Sequence, residues 1–300
     1  MIIDQPGKVT ERIFLLGRPE SCVYLLQEKN QSIILGGGMA YIAPDVIEQL
    51  QEFDIDEKRI SRICILHSHF DHCGAVPFFK KRWPQAVVTA SPRARELLSK
   101  PDVSETIGQM NHDKISEKGL DESAKTLGFE FTGIDVEEAV AEGDAIKCGD
   151  ARLNVLDTPG HSSCSISMYM PEEKALFASD SVGLRRNGVF QPTPNSNFDQ
   201  YQKSLEKLAG YPVDVLLLEH YGAYLEEEAR NFIPNAIEAA GETRRLIEET
   251  YKKTRDIEKC TKEITDIFQS RFSDSFLSRE VREMVSRQMV RFIAKKIEQS

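Results

Sequence analysis

The amino-acid sequence predicts an α/β fold, and two observations support this. Short apolar runs of strand length alternate with longer segments in which apolar residues recur at the spacing of a helix face. Several apolar runs end in a histidine or an aspartate, and strand ends are where an α/β scaffold places its chemistry. The 300 residues suffice for one large domain or two small ones, and either can bury a core.

The first hundred residues predict a strand meander followed by alternating strands and helices. The meander ends in three consecutive glycines, residues 36–38. They lack the Lys-Ser or Lys-Thr of a phosphate-binding loop, so we interpret them as a turn. The predicted strands lie at residues 9–16, 22–27, 32–35, 63–66 and 86–90, and the predicted helices at 44–53, 76–82 and 92–99.

Residues 101–128 interrupt this alternation. They are polar, with sparse apolar positions, and we predict a helical insertion that serves as a lid. His112 lies within it; this side chain can reach a substrate there, but a solvated histidine is the more ordinary interpretation.

The second half returns to strands and then becomes helical. After residue 225 the chain has one proline and one glycine, and Ser278 is a predicted helix N-cap. We therefore predict a catalytic domain over residues 1–225 and a helical extension over 226–300. The predicted strands here are 144–148, 151–157, 165–170, 174–179 and 213–218, with a loop at 183–197 bordering the pocket and a helix at 198–209.

Composition restricts the partners and the compartment. A net charge of −10 argues against a nucleic-acid backbone, which needs a basic surface. No apolar stretch approaches the roughly 18 residues of a membrane span, and the N-terminus lacks the features of a signal peptide. The six cysteines form no CxxC pair, so we expect reduced thiols and a cytoplasmic location.

A cluster of metal-ligand residue types follows the apolar run at residues 63–66. His67 and His69 are spaced i, i+2, which places both on one face of an extended segment. Asp71 and His72 follow at the turn into the next helix. Without a cation these groups would concentrate polar atoms beside the core at a large cost, so the cluster indicates a metal site.

Three further residues of ligand type follow later apolar runs. They are His161 in a Thr-Pro-Gly-His segment, Asp180 and His220. Cys73 and Cys164 flank the predicted ligands; thiolates can coordinate metals, but small packing residues are the more ordinary interpretation.

The HxHxDH motif, the TPGH segment, an aspartate after a strand and a final histidine together resemble the metallo-β-lactamase superfamily over residues 10–225. The resemblance implies a four-layer αβ/βα sandwich and often an acidic residue at the turn where this chain has glycines 36–38. The helical tail is similar to those of glyoxalase II enzymes and of the quinolone signal response protein. The implied ligands are His67, His69 and His161 for a first ion, Asp71, His72 and His220 for a second, and Asp180 as the bridge.

The predicted activity is that of a dinuclear metal-dependent hydrolase that cleaves a small thioester, ester or lactone through a shared hydroxide. Asp71 and Asp180 are the predicted catalytic residues. Tyr221 and Tyr224 are candidate oxyanion donors, although packing is the more ordinary role for both, and Phe190 is a candidate substrate contact. We expect two divalent ions per chain, zinc first, with iron or manganese as alternatives.

Two other functions remain open at this point. One is an iron-dependent oxidoreductase of the same fold, either a persulfide dioxygenase or a diiron enzyme. The diiron branch typically carries glutamate where this chain has His69, and it adds a flavin domain. The other is a signalling protein whose helical tail is the working surface. The predicted partners are a small-molecule substrate and, through the C-terminal helices, a second copy of the chain, with neither nucleic acid nor membrane.

Overall fold

The computed structural model describes residues 1–272 and 277–299. The strands of the first half are β1 (Ile2–Ile3), β2 (Gly7–Lys8), β3 (Ile13–Arg18), β4 (Ser21–Gln27), β5 (Ser32–Leu35), β6 (Ile60–Cys64), β7 (Val87–Ala90) and β8 (Glu138–Ala139). Those of the second half are β9 (Ala145–Cys148), β10 (Ala151–Asp157), β11 (Ile166–Met170), β12 (Ala175–Phe177), β13 (Leu184–Arg186), β14 (Val189–Gln191), β15 (Val215–Leu217) and β16 (Ala223–Leu225).

The α-helices are α1 (Ala43–Glu52), α2 (Phe70–Cys73), α3 (Val76–Arg82), α4 (Pro92–Leu98), α5 (Pro101–Glu117), α6 (Asp121–Leu127), α7 (Phe198–Leu208), α8 (Glu227–Thr254), α9 (Ile257–Arg271) and α10 (Arg279–Glu298). Short 3-10 turns lie at Ala40–Ile42, Glu57–Arg59 and Ser179–Val182.

Two seven-stranded mixed sheets form the centre of the fold. The first sheet has the order β2-β3-β4-β5-β6-β7-β8 and the second has the order β1-β16-β15-β12-β11-β10-β9. In the first sheet β5 to β8 run parallel, and in the second only β12 and β15 do. Parallel neighbours bring their carboxyl ends to one edge, which is where the loops that carry the predicted ligands start.

One hydrophobic core joins the two sheets. Leu15 and Leu35 of the first sheet belong to the same buried cluster as Leu153, Phe177 and Leu217 of the second. The strands are apolar toward this shared face, and the α/β sandwich expected from the sequence is confirmed.

Several predicted boundaries shift in the structure. The predicted loop 183–197 contains the hairpin β13–β14, and β1, β2, β8 and β16 were not predicted, because strands of two or three residues show no periodicity. The strand predicted over residues 9–16 begins only at Ile13, as β3. Strand β6 begins at Ile60 and not at residue 63, because the charged Arg62 interrupts the apolar run from which the strand was predicted. In the structure the Arg62 guanidinium donates to the Glu138 carboxylate at 2.8 Å.

The predicted insertion at residues 101–128 forms α5 and α6. Asn111 is buried and anchors α5: its Oδ1 accepts from the N–H of Ala40 at 2.8 Å, and its Nδ2 donates to the carbonyls of Phe70 and Ile107 at 3.0 and 3.1 Å. His112, the next residue, is exposed. The buried face of α5 therefore supports the start of α2, and its role as a lid stays a prediction.

The chain divides into two compact units. The first comprises residues 1–157, 164–179 and 213–229, which include both seven-stranded sheets. The second comprises residues 158–163, 180–212 and 230–300. The predicted boundary between residues 225 and 226 stays a prediction.

Within the second unit, charged contacts tie the helices together. The carboxylate of Asp199 on α7 forms ion pairs with the Arg244 guanidinium of α8 and the Lys296 ammonium of α10, each with an N···O distance of 2.8 Å. Ser278 caps α10 by accepting from the N–H of Val281, so the predicted N-cap and the C-terminal helical extension are confirmed. Among the described residues, no helix is long and apolar enough to cross a membrane.

Candidate metal centre

The predicted ligand motif runs from β6 into α2, and glycine lets the backbone pack tightly there. His69 caps α2 with extended backbone angles, and His72 lies in the single turn that follows. The N–H of Gly37 donates to the His72 carbonyl at 2.8 Å. A Cβ at Gly37 would approach that carbonyl oxygen to 2.9 Å, so the turn can hold the motif only because it lacks a side chain.

Three predicted ligands converge within the first unit. Nε2 of His72 lies 3.0 Å from Nε2 of His220, and Oδ2 of Asp71 lies 3.5 Å from each of these nitrogens. Both imidazoles are almost completely buried. Burial opposes ionisation of Asp71, but the imidazoles of His72 and His220 favour it more strongly and hold the pKa of this carboxyl well below its ordinary range.

The outer nitrogens of these imidazoles face oxygen acceptors. Nδ1 of His220 lies 2.7 Å from the Glu20 carbonyl, and Nδ1 of His72 lies 3.2 Å from Oε2 of Glu219. An acceptor at Nδ1 keeps the imidazole proton there and leaves the Nε2 lone pair directed at the centre. This arrangement of the outer nitrogens allows each Nε2 to bind a cation.

The other two histidines of the motif lie beside this group. The ring centroids of His67 and His69 are 4.7 Å apart, and that of His67 is 4.1 Å from that of His72. Nδ1 of His67 lies 3.2 Å from Oγ of Ser179. His67 is buried and His69 is half-buried, so the first unit brings five of the seven predicted ligands together at the end of β6.

The remaining two predicted ligands pair within the second unit. Nε2 of His161 lies 3.3 Å from Oδ2 of Asp180, and Nδ1 of His161 lies 2.9 Å from the Thr193 carbonyl. Gly160, with φ +132°, passes so close to α7 that a Cβ would lie 2.2 Å from the Tyr201 nitrogen. The glycine of the TPGH segment thus permits the packing that positions His161.

The donor set fits divalent cations. Two Nε2 atoms that face each other at 3.0 Å, with a carboxylate at 3.5 Å from both, leave lone pairs directed at the same space. Such lone pairs repel unless a cation or a proton lies among them. Imidazole and carboxylate together suit zinc, iron and manganese.

The remaining candidates have the following surroundings. Tyr221 is half-buried, with its ring 6.2 Å from that of His220, whereas Tyr224 is buried within β16. Phe190 lies in the β13–β14 hairpin and packs edge-on against Phe232 at 5.0 Å. Sγ of Cys73 donates to the His69 carbonyl, and burial raises the pKa of this thiol. The substrate-binding roles of Tyr221, Tyr224 and Phe190 stay predictions.

Cys164 has a different neighbourhood. Its Sγ lies 3.2 Å from Oγ of Ser68, between two ligands of the motif. Its carbonyl accepts from the Ser91 hydroxyl at 2.7 Å. Both contacts are compatible with the packing role that we favoured from the sequence.

Glu219 and Ser179, which contact the outer nitrogens of His72 and His67, were not predicted from the sequence. Glu219 directly precedes His220 and follows a buried apolar strand, yet it is only 2% exposed. An acid at the end of such a run, beside a predicted ligand, is the signal that was available.

The chain belongs to the metallo-beta-lactamase superfamily, whose family model matches residues 17–220. Among solved structures, a metallo-beta-lactamase family protein from Thermus thermophilus superposes with a TM-score of 0.69 at 17% identity, covering 97% of this chain and 95% of that one. A subclass B3 metallo-beta-lactamase of Bradyrhizobium japonicum gives 0.60 at 20% identity, covering 83% of this chain and 95% of that one. At these identities the likeness shows the fold alone.

Curated relatives are also distant in sequence. A hydroxyacylglutathione hydrolase of Ruegeria pomeroyi is 26% identical over 189 residues, which are 63% of this chain but 58% of that protein. The acyl-coenzyme A thioesterase MBLAC2 of Homo sapiens is 23% identical over 244 residues, 78% of this chain and 84% of that protein. The chain thus spans little more than half of the bacterial enzyme. Family membership and the clustered ligand types together indicate residues that could hold metal ions.

Proposed function

We propose that the protein is a dinuclear metal-dependent hydrolase that cleaves a small acyl thioester. The observation that carries the proposal is the convergence of Asp71, His72 and His220, in which buried nitrogens with acceptors on their outer sides face one another. Hydrogen-bonded outer nitrogens are the usual support of histidines that bind metal. Zinc as the metal, pairing of two copies through the C-terminal helices and a cytoplasmic location stay predictions.

In this proposal Asp71, His72 and His220 would hold one ion, His67, His69 and His161 would hold the other, and Asp180 would supply its carboxylate to both. The course of the chain supports the second group. The loop with His161 leaves β10 at Asp157 and rejoins the first unit at Cys164, and the N–H of Ile166 donates to the Leu66 carbonyl at 2.9 Å. Leu66 directly precedes His67, so this hydrogen bond lies within the first unit, next to the motif.

When bound, the two ions supply Lewis acidity and lower the pKa of water toward neutrality. The ionised carboxylate of Asp71 would orient the attacking water by accepting a hydrogen bond from it. The buried imidazoles of His72 and His220 keep bulk solvent away from one side of Asp71. A thiol leaving group has an ordinary pKa of about 8.5, so it departs as a thiolate without a proton donor from the protein.

The substrate class rests on chemistry that the named relatives share. One is called a hydroxyacylglutathione hydrolase and another an acyl-coenzyme A thioesterase, and both names describe an acyl group on a thiol carrier. The thiol carriers differ, so the proposal names the acyl thioester and leaves the carrier to experiment.

The test compares hydrolysis of acylglutathione and acyl-coenzyme A thioesters with that of matched oxygen esters and lactones, using full-length protein loaded with zinc. We expect thioester cleavage that chelation abolishes, and loss of at least about 10³-fold in kcat/KM for Asp71→Asn. Cleavage that survives chelation, or that survives in the Asp71→Asn protein, would overturn the metal mechanism. A preference for oxygen esters or lactones would overturn the substrate class alone.

A further inference from the structure

We propose that Glu219 is a positioning residue for the metal centre. Its carboxylate orients His72 directly and orients His67 through Ser179. The inference rests on the proposed dinuclear centre and concerns the outer side of its ligands. All of the contacts that carry it lie within the first unit.

The carboxylate of Glu219 makes a branched set of polar contacts. Its Oε2 lies 3.2 Å from Nδ1 of His72 and accepts a hydrogen bond from the Ser179 hydroxyl. Oγ of Ser179 lies 3.2 Å from Nδ1 of His67. Because the serine donates to the carboxylate, its oxygen remains available to accept from His67. One carboxylate oxygen thus reaches a ligand of each proposed ion.

The space for this carboxylate exists because residue 36 is glycine. A Cβ at Gly36 would lie 2.3 Å from Oε1 of Glu219, and Gly36 has a φ of +88°, where a side chain is strained. The backbone of Glu219 is also fixed, since its carbonyl accepts from the N–H of Cys22 at 2.8 Å. The carboxylate of Glu219, which follows β15 of the second sheet, therefore occupies the space beside Gly36, which follows β5 of the first sheet.

Glu219 is not placed to act as a ligand of the same ions. It lies close enough to His67 and His72 for the three residues to form a potential cation site. However, Nε2 of His72 already faces Asp71 and His220, and the two nitrogens of one ring point in different directions. The carboxylate therefore faces the side of His72 that lies away from the proposed ion.

Ser179 is held in an uncommon conformation that suits this role. Its φ is +48°, in the left-handed region that few residues other than glycine adopt. The residue is almost fully buried, and Asp180, the proposed bridging ligand, follows it directly. We infer that the backbone turn places the hydroxyl between Glu219 and His67.

The test measures zinc affinity of the apo full-length chain by competition with a chromophoric chelator, for wild type, Glu219→Ala and Glu219→Gln. Removing a support of this kind typically costs 10- to 100-fold in metal affinity, and we expect that loss for both ions in Glu219→Ala. Glutamine retains an oxygen that can accept from His72 and Ser179, so Glu219→Gln is expected to lose less than about 10-fold.

The matched control is Glu173→Ala, which removes another largely buried carboxylate, bound to Arg12 at 2.7 Å, at a site without predicted ligands. It is expected to bind zinc as wild type does. Wild-type zinc affinity in Glu219→Ala would overturn the inference, as would an equal loss in Glu219→Gln and Glu219→Ala, since that would make the charge and not the hydrogen-bond acceptor decisive.

A second variant covers the case in which Glu219→Ala does not fold. Ser179→Ala breaks only the branch to His67, so it is expected to weaken one of the two zinc equivalents and to leave the other unchanged. If the affinity for both zinc ions falls equally, or if neither affinity falls, the proposed path from Glu219 through Ser179 to His67 is wrong. If wild type itself binds no zinc, the proposed function fails, whereas failure confined to the variants concerns Glu219 alone.

Discussion

The two sheets supply the proposed ligands in different ways. The first sheet provides four of them within six residues, His67 to His72, a stretch that two residues separate from the end of β6. The second sheet provides one residue from each of three strand ends, after β10, β12 and β15. The second sheet also supplies the acceptors at Ser179 and Glu219 that face His67 and His72. Four ligands thus lie in one segment of the first sheet, and the acceptors that face two of them come from the second sheet.

This difference predicts how many of the proposed ligands a single substitution affects. A change in the segment after β6 disturbs ligands of both proposed ions, because neighbouring side chains serve different ions and their rings touch. A change at one strand end of the second sheet removes a single ligand or a single support. The following predictions, from the largest expected effect to the smallest, test that contrast.

The largest effect is expected for His72→Ala. His72 contacts Asp71, His220 and Glu219, so its loss removes a ligand and leaves three buried polar groups without their neighbour. We expect kcat/KM for thioester cleavage to fall by at least about 10³-fold and bound metal to decrease. His112→Ala, at an exposed position on α5, should leave both unchanged. Wild-type metal content in the His72 variant would contradict the assignment.

Removal of the metal should lower thermal stability. Without cations, the Nε2 atoms of His72 and His220 face each other at 3.0 Å inside the protein. A ligand present at 100 to 1,000 times its Kd stabilises by about 3–4 kcal/mol, so chelation should lower Tm by about 10 °C. Differential scanning calorimetry before chelation, after it and after zinc is restored gives the comparison. A Tm that chelation does not change would contradict metal binding to the folded chain.

A smaller effect is expected at the support of the motif by α5. Asn111→Ala removes three buried hydrogen bonds, including those to Ala40 and Phe70, and leaves their backbone groups without this partner. We expect the free energy of unfolding to fall by about 2–3 kcal/mol in urea titrations. Gln109→Ala, on the same helix, removes an exposed contact to Asp113 and should change it by less than about 0.5 kcal/mol. Equal effects of the two substitutions would show that Asn111 does not anchor the helix.

The smallest effect concerns pH and lies at the amino end of β6. Hydrogen bonding from Arg82 lowers the pKa of Glu57, burial opposes this, and a hydrogen bond from Trp83 adds to the lowering. Because the pKa of Glu57 is lower in the folded protein than in the unfolded chain, its ionised carboxylate stabilises the fold at any pH above the unfolded-state pKa. This contribution to the free energy of unfolding is lost as the pH falls through the folded-state pKa. Glu57→Gln should therefore lower the free energy of unfolding by about 1 kcal/mol or less at pH 7, because solvent partly screens the pair of Glu57 and Arg82. Near pH 3 the substitution should change it by almost nothing.

Urea titrations of wild type and Glu57→Gln at both pH values measure this difference. A larger gap at acidic pH than at neutral pH would contradict the sign. Thioester cleavage at pH 7 should be the same for both proteins, because Glu57 lies at the opposite end of β6 from the motif.

The sequence predicted the family, the α/β class and the seven proposed ligands because each ligand follows an apolar run in a recognisable segment. It did not predict the partnership of Gly36 and Glu219, which are far apart in the chain and meet only when the sheets pack. Nor did it predict that Asn111 anchors α5, since a buried asparagine in a polar helix looks like a solvated residue until its acceptors are known. Local pattern revealed the ligands, whereas the supports depend on tertiary packing.

The central claim is a centre for two ions, and metal content measures it most directly. Mass spectrometry of the full-length chain, purified without chelator or added metal, should find about two divalent ions per wild-type chain. One ion per chain, or none, would contradict the dinuclear centre.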